Sequence, residues 1–345
     1  MATAEQSYQL CVVDTIADNS DEMLLIGYPA DVCFGPSDEI LVLDQSAVCV
    51  YTFSADGNLT GQFGRSGEGP GEMGNPMSIE TIDHLILIRD ATKHGYLLFD
   101  STYSLVEEVS HWPSGSPTDM QYCGDSSFVA RCTSIESGDQ EMLLRRTVSR
   151  FRLGAAEPTC TYYSDVSEID LSNPSEFLRI GTESIAFTAD YTGRVYLSEI
   201  TGEEYLVTVY SPVGDTLYSI TRDCDPVEKT RSELDEEISY MEAEMSTMGV
   251  EGVGNWVPDP LKPMITGLGI DSNMNLWVQR GTEVDQTLDV FDTSSQGELI
   301  CTVVLPIQGI DWNIRVSPAG SIAWQTNPDD GNFTFYSLEL KQLDN

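Results

Sequence analysis

The sequence predicts an all-β chain, a six-bladed β-propeller of four-stranded antiparallel blades with one helical insertion between the fourth and fifth blades. Three observations predict it. Short apolar, alternating runs separated by Gly, Pro, Asn and Asp turns extend along most of the chain, which is how many short strands read in sequence. A shift of 46 residues superposes Asp44 on Asp90 and Phe53 on Phe99, and repetition at such a period marks propellers and arrays. An aromatic landmark followed by a turn recurs at Phe53, Phe99, Phe151, Tyr210 and Phe291, with Phe335-Tyr336 as a sixth. The 345 residues read as a single propeller domain, with 41% hydrophobic residues to build its core.

Two strand-like runs, residues 8–13 and 23–26, precede the first unit. That unit has four short strands: residues 31–34, 40–44, 48–53 and 59–63, with turns at Gly35-Pro36-Ser37-Asp38 and Asp56-Gly57-Asn58 between them. Phe63-Gly64-Arg65-Ser66-Gly67-Glu68-Gly69-Pro70-Gly71-Glu72-Met73 then links it to the second unit. So many glycines and a proline in one short span define a tight connection with unusual backbone angles. The strand ahead of each landmark recurs in residues 128–131, 195–198, 276–279 and 322–325. The third unit lacks the Asp-Gly turn. The last unit ends near Lys341, so an N-terminal run is expected to join its sheet and close the ring; the sequence leaves open which run does so.

From Tyr210 to Phe291 the interval is 81 residues, and an insertion at about residues 226–263 fills it. Thr230-Arg231-Ser232-Glu233 is a capping box, and Leu234, Ile238, Met241 and Met245 fall on one helical face. Extended by Met248, this stripe is read as a face packed on the propeller, in preference to an adaptable partner-binding surface.

Lys and Arg number 17 against 56 acidic residues, a formal net charge of −39. A field of that sign repels phosphate backbones and anionic membranes, which excludes nucleic acid as a partner. Most of the carboxylates read as a solvated surface suited to a salty or extracellular setting, in preference to an acidic binding face. No run is long and apolar enough for a membrane span, and the first residues, Met1 to Gln6, carry no export signal. Eight cysteines are scattered without a zinc-type spacing. Most are expected to be small buried apolar residues. Cys123 and Cys132 are the closest pair in sequence, and their pairing cannot be deduced from spacing.

The linker from Phe63 to Met73 resembles that of NHL-repeat-like bacterial six-bladed propellers, a group found mostly on exported proteins or lipoproteins. Residues 205–214 with the acidic helix after them, and residues 268–271 leading to Leu276-Trp277-Val278, are similar to the same group. The resemblance covers nearly the whole chain and implies the fold and an exported setting. It implies no reaction, because fold does not fix function.

Related propellers that are enzymes suggest two further site types. A zinc-dependent lyase of this shape uses histidines from separate blades, whereas His84, His94 and His111 all fall in or just after the second unit. A lactonase-like propeller holds calcium with Glu, Asn and Asp oxygens near its axis, and no spacing here selects such a set. Asp271 to Asn275 resembles a calcium loop only superficially and reads as a hairpin turn, as do residues 327–332. Neither a Gly-x-Ser-x-Gly elbow nor a phosphate-binding glycine loop is present. The candidate ligand site is the polar end of the axial channel, with Asp44, Arg89, Asp90, Glu199 and Arg280 at the ends of neighbouring strands. Arg65 joins them as the guanidinium of the glycine linker. The competing reading is turn capping and ion pairing, and for Arg65 the anchoring of its own loop. The expectation is therefore a monomeric, non-catalytic module, without a cofactor, that binds a small ligand, peptide or protein. The alternative is a calcium-type lactonase or esterase.

Overall fold

In the computed structural model, described residues are 7–18, 26–110, 116–137, 142–155, 157–169, 184–247, 249, 256–283, 285–307, 313–326 and 333–343. Strand β1 (Ser7–Asp18) precedes blade one, which is β2 (Pro29–Phe34), β3 (Ile40–Asp44), β4 (Cys49–Phe53) and β5 (Leu59–Phe63). Blade two is β6 (Pro76–Ile82), β7 (Leu85–Asp90), β8 (Gly95–Phe99) and β9 (Leu105–Val109). Blade three is β10 (Ser116–Tyr122), β11 (Ser127–Ser137), β12 (Met142–Arg152) and β13 (Cys160–Ile169). Blade four is β14 (Ile185–Ala189), β15 (Val195–Glu199), β16 (Leu206–Tyr210) and β17 (Thr216–Thr221), followed by helix α1 (Arg231–Thr247). Blade five is β18 (Ile265–Ile270), β19 (Asn275–Arg280), β20 (Thr287–Asp292) and β21 (Glu298–Val304). Blade six is β22 (Asn313–Ser317), β23 (Gly320–Thr326) and β24 (Phe333–Leu343), and its fourth strand is β1.

Five blades are antiparallel meanders and the sixth is a meander of β22 to β24 completed by β1, so the structure is the six-bladed propeller that the repeat predicts. The run at residues 8–13 closes the ring: β1 pairs with β24 from Ser7 opposite Leu343 to Asp18 opposite Thr334. Of the second early run, Ile26 lies within the described residues and is buried in the core. The landmark aromatics all lie on the third strand of their blades, where Phe53, Phe151 and Phe335 are fully buried.

The core consists of six apolar clusters, one at each interface between neighbouring blades. Leu41, Leu43 and Val50 of blade one meet Ile79, Ile86 and Leu97 of blade two. Trp277 and Val290 of blade five meet Val316 and Ala323 of blade six, with Leu10 of β1 among them. Ile322 and Phe335 then meet Val32 and Phe53 across the closure. Because apolar area removed from water stabilises by about 25 cal/mol per Å², the blades hold together through these side-by-side seams. Central strands such as β3 are buried along their whole length, and outer strands such as β5 are largely exposed.

The glycine linker folds back on itself. Met73 N–H donates to the Arg65 carbonyl at 2.9 Å and Gly67 N–H donates to the Met73 carbonyl at 3.0 Å. Gly64 (φ 79°) and Gly71 (φ 75°) take left-handed angles, and a Cβ on Gly64 would collide with Met73 Cε. The fold-back seats Met73, fully buried, in the seam between blades one and two.

Helix α1 begins with the expected capping box: Thr230 N–H donates to Glu233 Oε2 at 2.7 Å, and Glu233 N–H to Thr230 Oγ1 at 3.3 Å. Met245 is fully buried and Leu234, Ile238 and Met241 are half-buried, so the stripe is a packing face; Met248 lies outside the described residues. The two ends of the insertion are zipped together, with Lys229 N–H on the Pro260 carbonyl and Lys262 N–H on the Val227 carbonyl, both at 2.8 Å.

All eight cysteines are separate thiols. Cys123 and Cys132 sit in different seams, between blades three and four and between blades two and three. Burial pushes both thiols up to about 12.

Candidate functional site

The inner strands of the blades run in the same sense along the axis, so the propeller has a near mouth, where they begin, and a far mouth, where they end. Register places Pro29 opposite Asp44, Pro76 opposite Asp90, Ile185 opposite Glu199 and Ile265 opposite Arg280. The near mouth is therefore where the sequence places its strand-end candidates.

An axial cavity of about 420 Å³ opens there, with every blade contributing to its wall. Its charged side chains are Asp31, Asp119, Arg131 and Arg315, and its neutral polar ones include Ser78, Gln121, Gln279 and Asn313. Trp324 and Phe187 supply the aromatic part. Ser78 Oγ is buried and has no hydrogen-bond partner among the described residues. A buried hydroxyl at a cavity wall is ready to bond to whatever enters, because leaving it unpaired costs about 1–3 kcal/mol.

Arg315, on inner strand β22, forms the partition of the channel. Its Nη1 donates to Asp31 Oδ1 at 3.0 Å and to the Val32 carbonyl at 2.8 Å, and its Nη2 donates to Glu80 Oε2 at 2.6 Å. One guanidinium thus ties blades six, one and two together at the axis. Burial pushes the Glu80 carboxyl up, and the adjacent Arg315 charge partly offsets this. Charge-assisted, multidentate pairing is what makes such a buried group tolerable. Arg315 lines the near cavity and also a second one of about 260 Å³ at the far mouth.

A groove of about 690 Å³ adjoins the near cavity, and both share Thr266, Gln279 and Asn313. The insertion contributes Lys229, Glu233, Glu237 and Lys262 to it, and blade five contributes Arg280, Glu283 and Asp285. Lys229 pairs with Glu237 at 2.6 Å, Lys262 with Glu233 at 2.5 Å and Arg280 with Glu283 at 2.6 Å. The groove therefore offers donors and acceptors side by side. Five of the chain's 17 cationic residues (Arg131, Lys229, Lys262, Arg280 and Arg315) line the cavity and groove, against six of its 56 acidic ones (Asp31, Asp119, Glu233, Glu237, Glu283 and Asp285). This region is locally balanced within a strongly acidic molecule.

Of the six candidate residues, Arg280 alone lines one of these cavities. Asp44 is fully buried and accepts from the N–H groups of Gly27, Tyr28, Ser46 and Ala47. Asp90, its equivalent in blade two, accepts from Gly74, Asn75, Thr92 and Lys93. Both fix the turn after their own strand and the loop that enters the inner strand. Arg89 is buried beside Asp90, and burial lowers its pKa. Glu199 is exposed at the end of β15. Arg65, with a side chain 79% exposed, pairs with Glu72 of its own loop at 2.7 Å. Sequence reasoning missed Arg315, Asp31, Glu80 and Ser78; the one available signal was a lone arginine in a chain so poor in cations.

His84 and His94 lie exposed in turns at opposite ends of β7, so they do not converge; His111 lies outside the described residues. Among the described residues, no group of three or more His, Cys, Asp or Glu is placed to hold a metal ion. Asp271 accepts from the backbone of Asn273 and Asn275 and from Trp277 Nε1, as a hairpin cap does. Residues 327–332 lie outside the described residues.

The fold is shared with solved structures of low sequence identity. A member of the DUF4221 family from Bacteroides vulgatus is 10% identical, covers 98% of this chain and 100% of its own, and superposes with a TM-score of 0.57. A putative exported protein from Bacteroides fragilis is 12% identical, with 99% and 96% covered and a TM-score of 0.54. The PQQ-bound aldose sugar dehydrogenase of Streptomyces coelicolor is 15% identical, with 97% and 99% covered and a TM-score of 0.51. No curated protein matches the sequence. The family DUF5128, described as a 6-bladed beta-propeller, matches residues 8–205, more than half of the chain. With the ring of six sheets, this match settles the kinship: the chain belongs to the DUF5128 family of six-bladed β-propellers.

Proposed function

We propose that this propeller is a non-catalytic binding module that takes a small polar ligand in the near-mouth cavity and the groove beside it. The observation that carries this reading is the cavity itself, walled by all six blades, closed below by Arg315 and presenting the buried Ser78 hydroxyl. Sites of this kind, concave and largely pre-formed, with a few fixed polar groups, orient a ligand without reorganisation. The paired charges of the groove favour a ligand rich in groups that both donate and accept.

Arg315 argues against the calcium-type hydrolase. Asp31 and Glu80, carboxylates that reach the axis, are bonded to its guanidinium, so a cation bound to them would have to displace or face a buried positive charge. A monomer is part of the proposal, supported by a ring that closes within one chain. An exported setting and kinship with NHL-repeat propellers are part of it too, supported by the acidic surface and the glycine linker.

The test is a thermal-shift screen of polar metabolites, with calcium and magnesium at matched ionic strength as a separate arm. Ionic strength must be fixed because a chain of charge −39 responds to screening alone. The expected result is a ligand whose shift disappears in Ser78→Leu and Gln279→Trp, which fill the cavity, and survives in Arg65→Ala. A calcium-specific rise accompanied by lactone hydrolysis would give the site to the hydrolase instead.

A further inference from the structure

The far mouth holds a second cavity, of about 260 Å³, which the polar-ligand reading does not use. Phe34 of blade one, Tyr122 of blade three and Tyr191 of the turn after β14 line it. Glu80 and Asp83 bring two carboxylates to the same walls, and Arg315 forms part of the partition. We propose that this far-mouth cavity is a binding site for a small alkylammonium cation, held among the three aromatic side chains and beside Asp83.

Aromatic rings attract ammonium groups through their negative faces, and the attraction grows when the cation is desolvated. At about 30 Å³ of liquid volume per water molecule, the cavity has room for on the order of nine waters, which suits a tetramethylammonium or choline-sized group. Asp83 is held in place: Tyr122 donates its hydroxyl hydrogen to Oδ1, and Ser126 Oγ donates to Oδ2 at 2.6 Å. Those two bonds keep its carboxyl below the usual range and therefore ionised.

Arg315 does not reverse this balance. Its donors are directed at Asp31, the Val32 and Ile79 carbonyls and Glu80, so its charge is matched by those two carboxylates and Asp83 is left over for the cation. The overall charge of −39 adds a long-range attraction for cations and repels anions. The site is chemically distinct from the near cavity, and it stands whether or not that cavity binds a polar ligand.

The experiment is calorimetry at fixed ionic strength with tetramethylammonium, choline, the neutral isostere 3,3-dimethylbutanol and trimethylacetate. Choline and tetramethylammonium are expected to bind at least about tenfold more tightly than the neutral isostere, and the carboxylate not at all. Tyr191 is 56% exposed, so Tyr191→Leu is expected to fold normally while weakening choline by about tenfold, with Tyr191→Phe retaining it. Asp83→Asn is expected to weaken choline as well, and Ser78→Leu at the near mouth to leave it unchanged. Equal binding of choline and its isostere, no binding of either cation, a preference for trimethylacetate, or an unchanged constant in Tyr191→Leu would each overturn the proposal.

Discussion

Asp289 shows how much one buried carboxylate in a propeller seam has to satisfy. It is fully buried on β20, and it accepts from Tyr205 at 2.9 Å, from Thr302 at 2.6 Å and from Arg222. Tyr205 and Arg222 belong to blade four, so the carboxylate joins two blades. Asp289→Ala strands a guanidinium and two hydroxyls together, and the loss of one partner of a buried pair costs about 3–5 kcal/mol. Arg222 is 29% exposed and can regain some water, which places the expected loss near about 3 kcal/mol, read from the denaturation midpoint. Arg65→Ala is the contrast: it removes an exposed pair within one loop and should leave the midpoint where it is. A midpoint for Asp289→Ala equal to that of Arg65→Ala would show that the seam does not depend on this carboxylate. The role of Arg65 is written in local sequence, because its partner Glu72 belongs to the same glycine linker, and that of Asp289 is not. Asp44 and Asp90 were visible because they repeat, whereas Asp289 and Arg315 act through partners tens to hundreds of residues away.

Helix α1 was the most legible single element, because a capping box, an apolar stripe and an overlong interval between landmarks agree on one answer. The groove that it helps to form was not legible, since that depends on how the zipped ends of the insertion meet blade five. The third blade is a similar case: it lacks the Asp-Gly turn, and the structure gives its last three strands 11, 11 and 10 residues where the same strands of blades one, two and four have five or six. The pH response of the insertion follows from Glu233, whose carboxyl is lowered from 4.5 to about 2, first by Lys262 and then by the Thr230 backbone and hydroxyl. A depressed carboxyl stabilises the fold above its unfolded value and loses that contribution as pH falls through its folded value. Acidification from 4.5 toward 2 is therefore expected to lower the hydrogen-exchange protection of α1, taken relative to the intrinsic exchange rate at each pH, before the central strands respond. Glu233→Gln should show that lower protection already at neutral pH and remove the transition. Simultaneous exchange of helix and strands across that window would mean that the cap and the lysine do not hold the insertion.

At the scale of the whole molecule, the ring is only as stable as its closure. β1 contributes a long outer strand to blade six, with Leu10 fully buried in the seam against blade five. Removal of residues 7–18 would leave β24 with a row of unpaired N–H and C=O groups, and an unpaired edge of that length recruits another strand. It would also open a cavity where Leu10 sits, for which large-to-small changes cost about 2–5 kcal/mol. The expected outcome is a chain that unfolds at a clearly lower denaturant concentration and self-associates in sedimentation. A synthetic peptide of residues 7–18 should reverse both effects by adding the missing strand. Leu10→Ala separates the two causes, because it keeps the edge paired and loses only the packing: it should lower the midpoint without promoting association. A truncated chain that stayed monomeric with an unchanged midpoint would mean that blade six is held by its own three strands and the seams on either side, and that closure by β1 is dispensable.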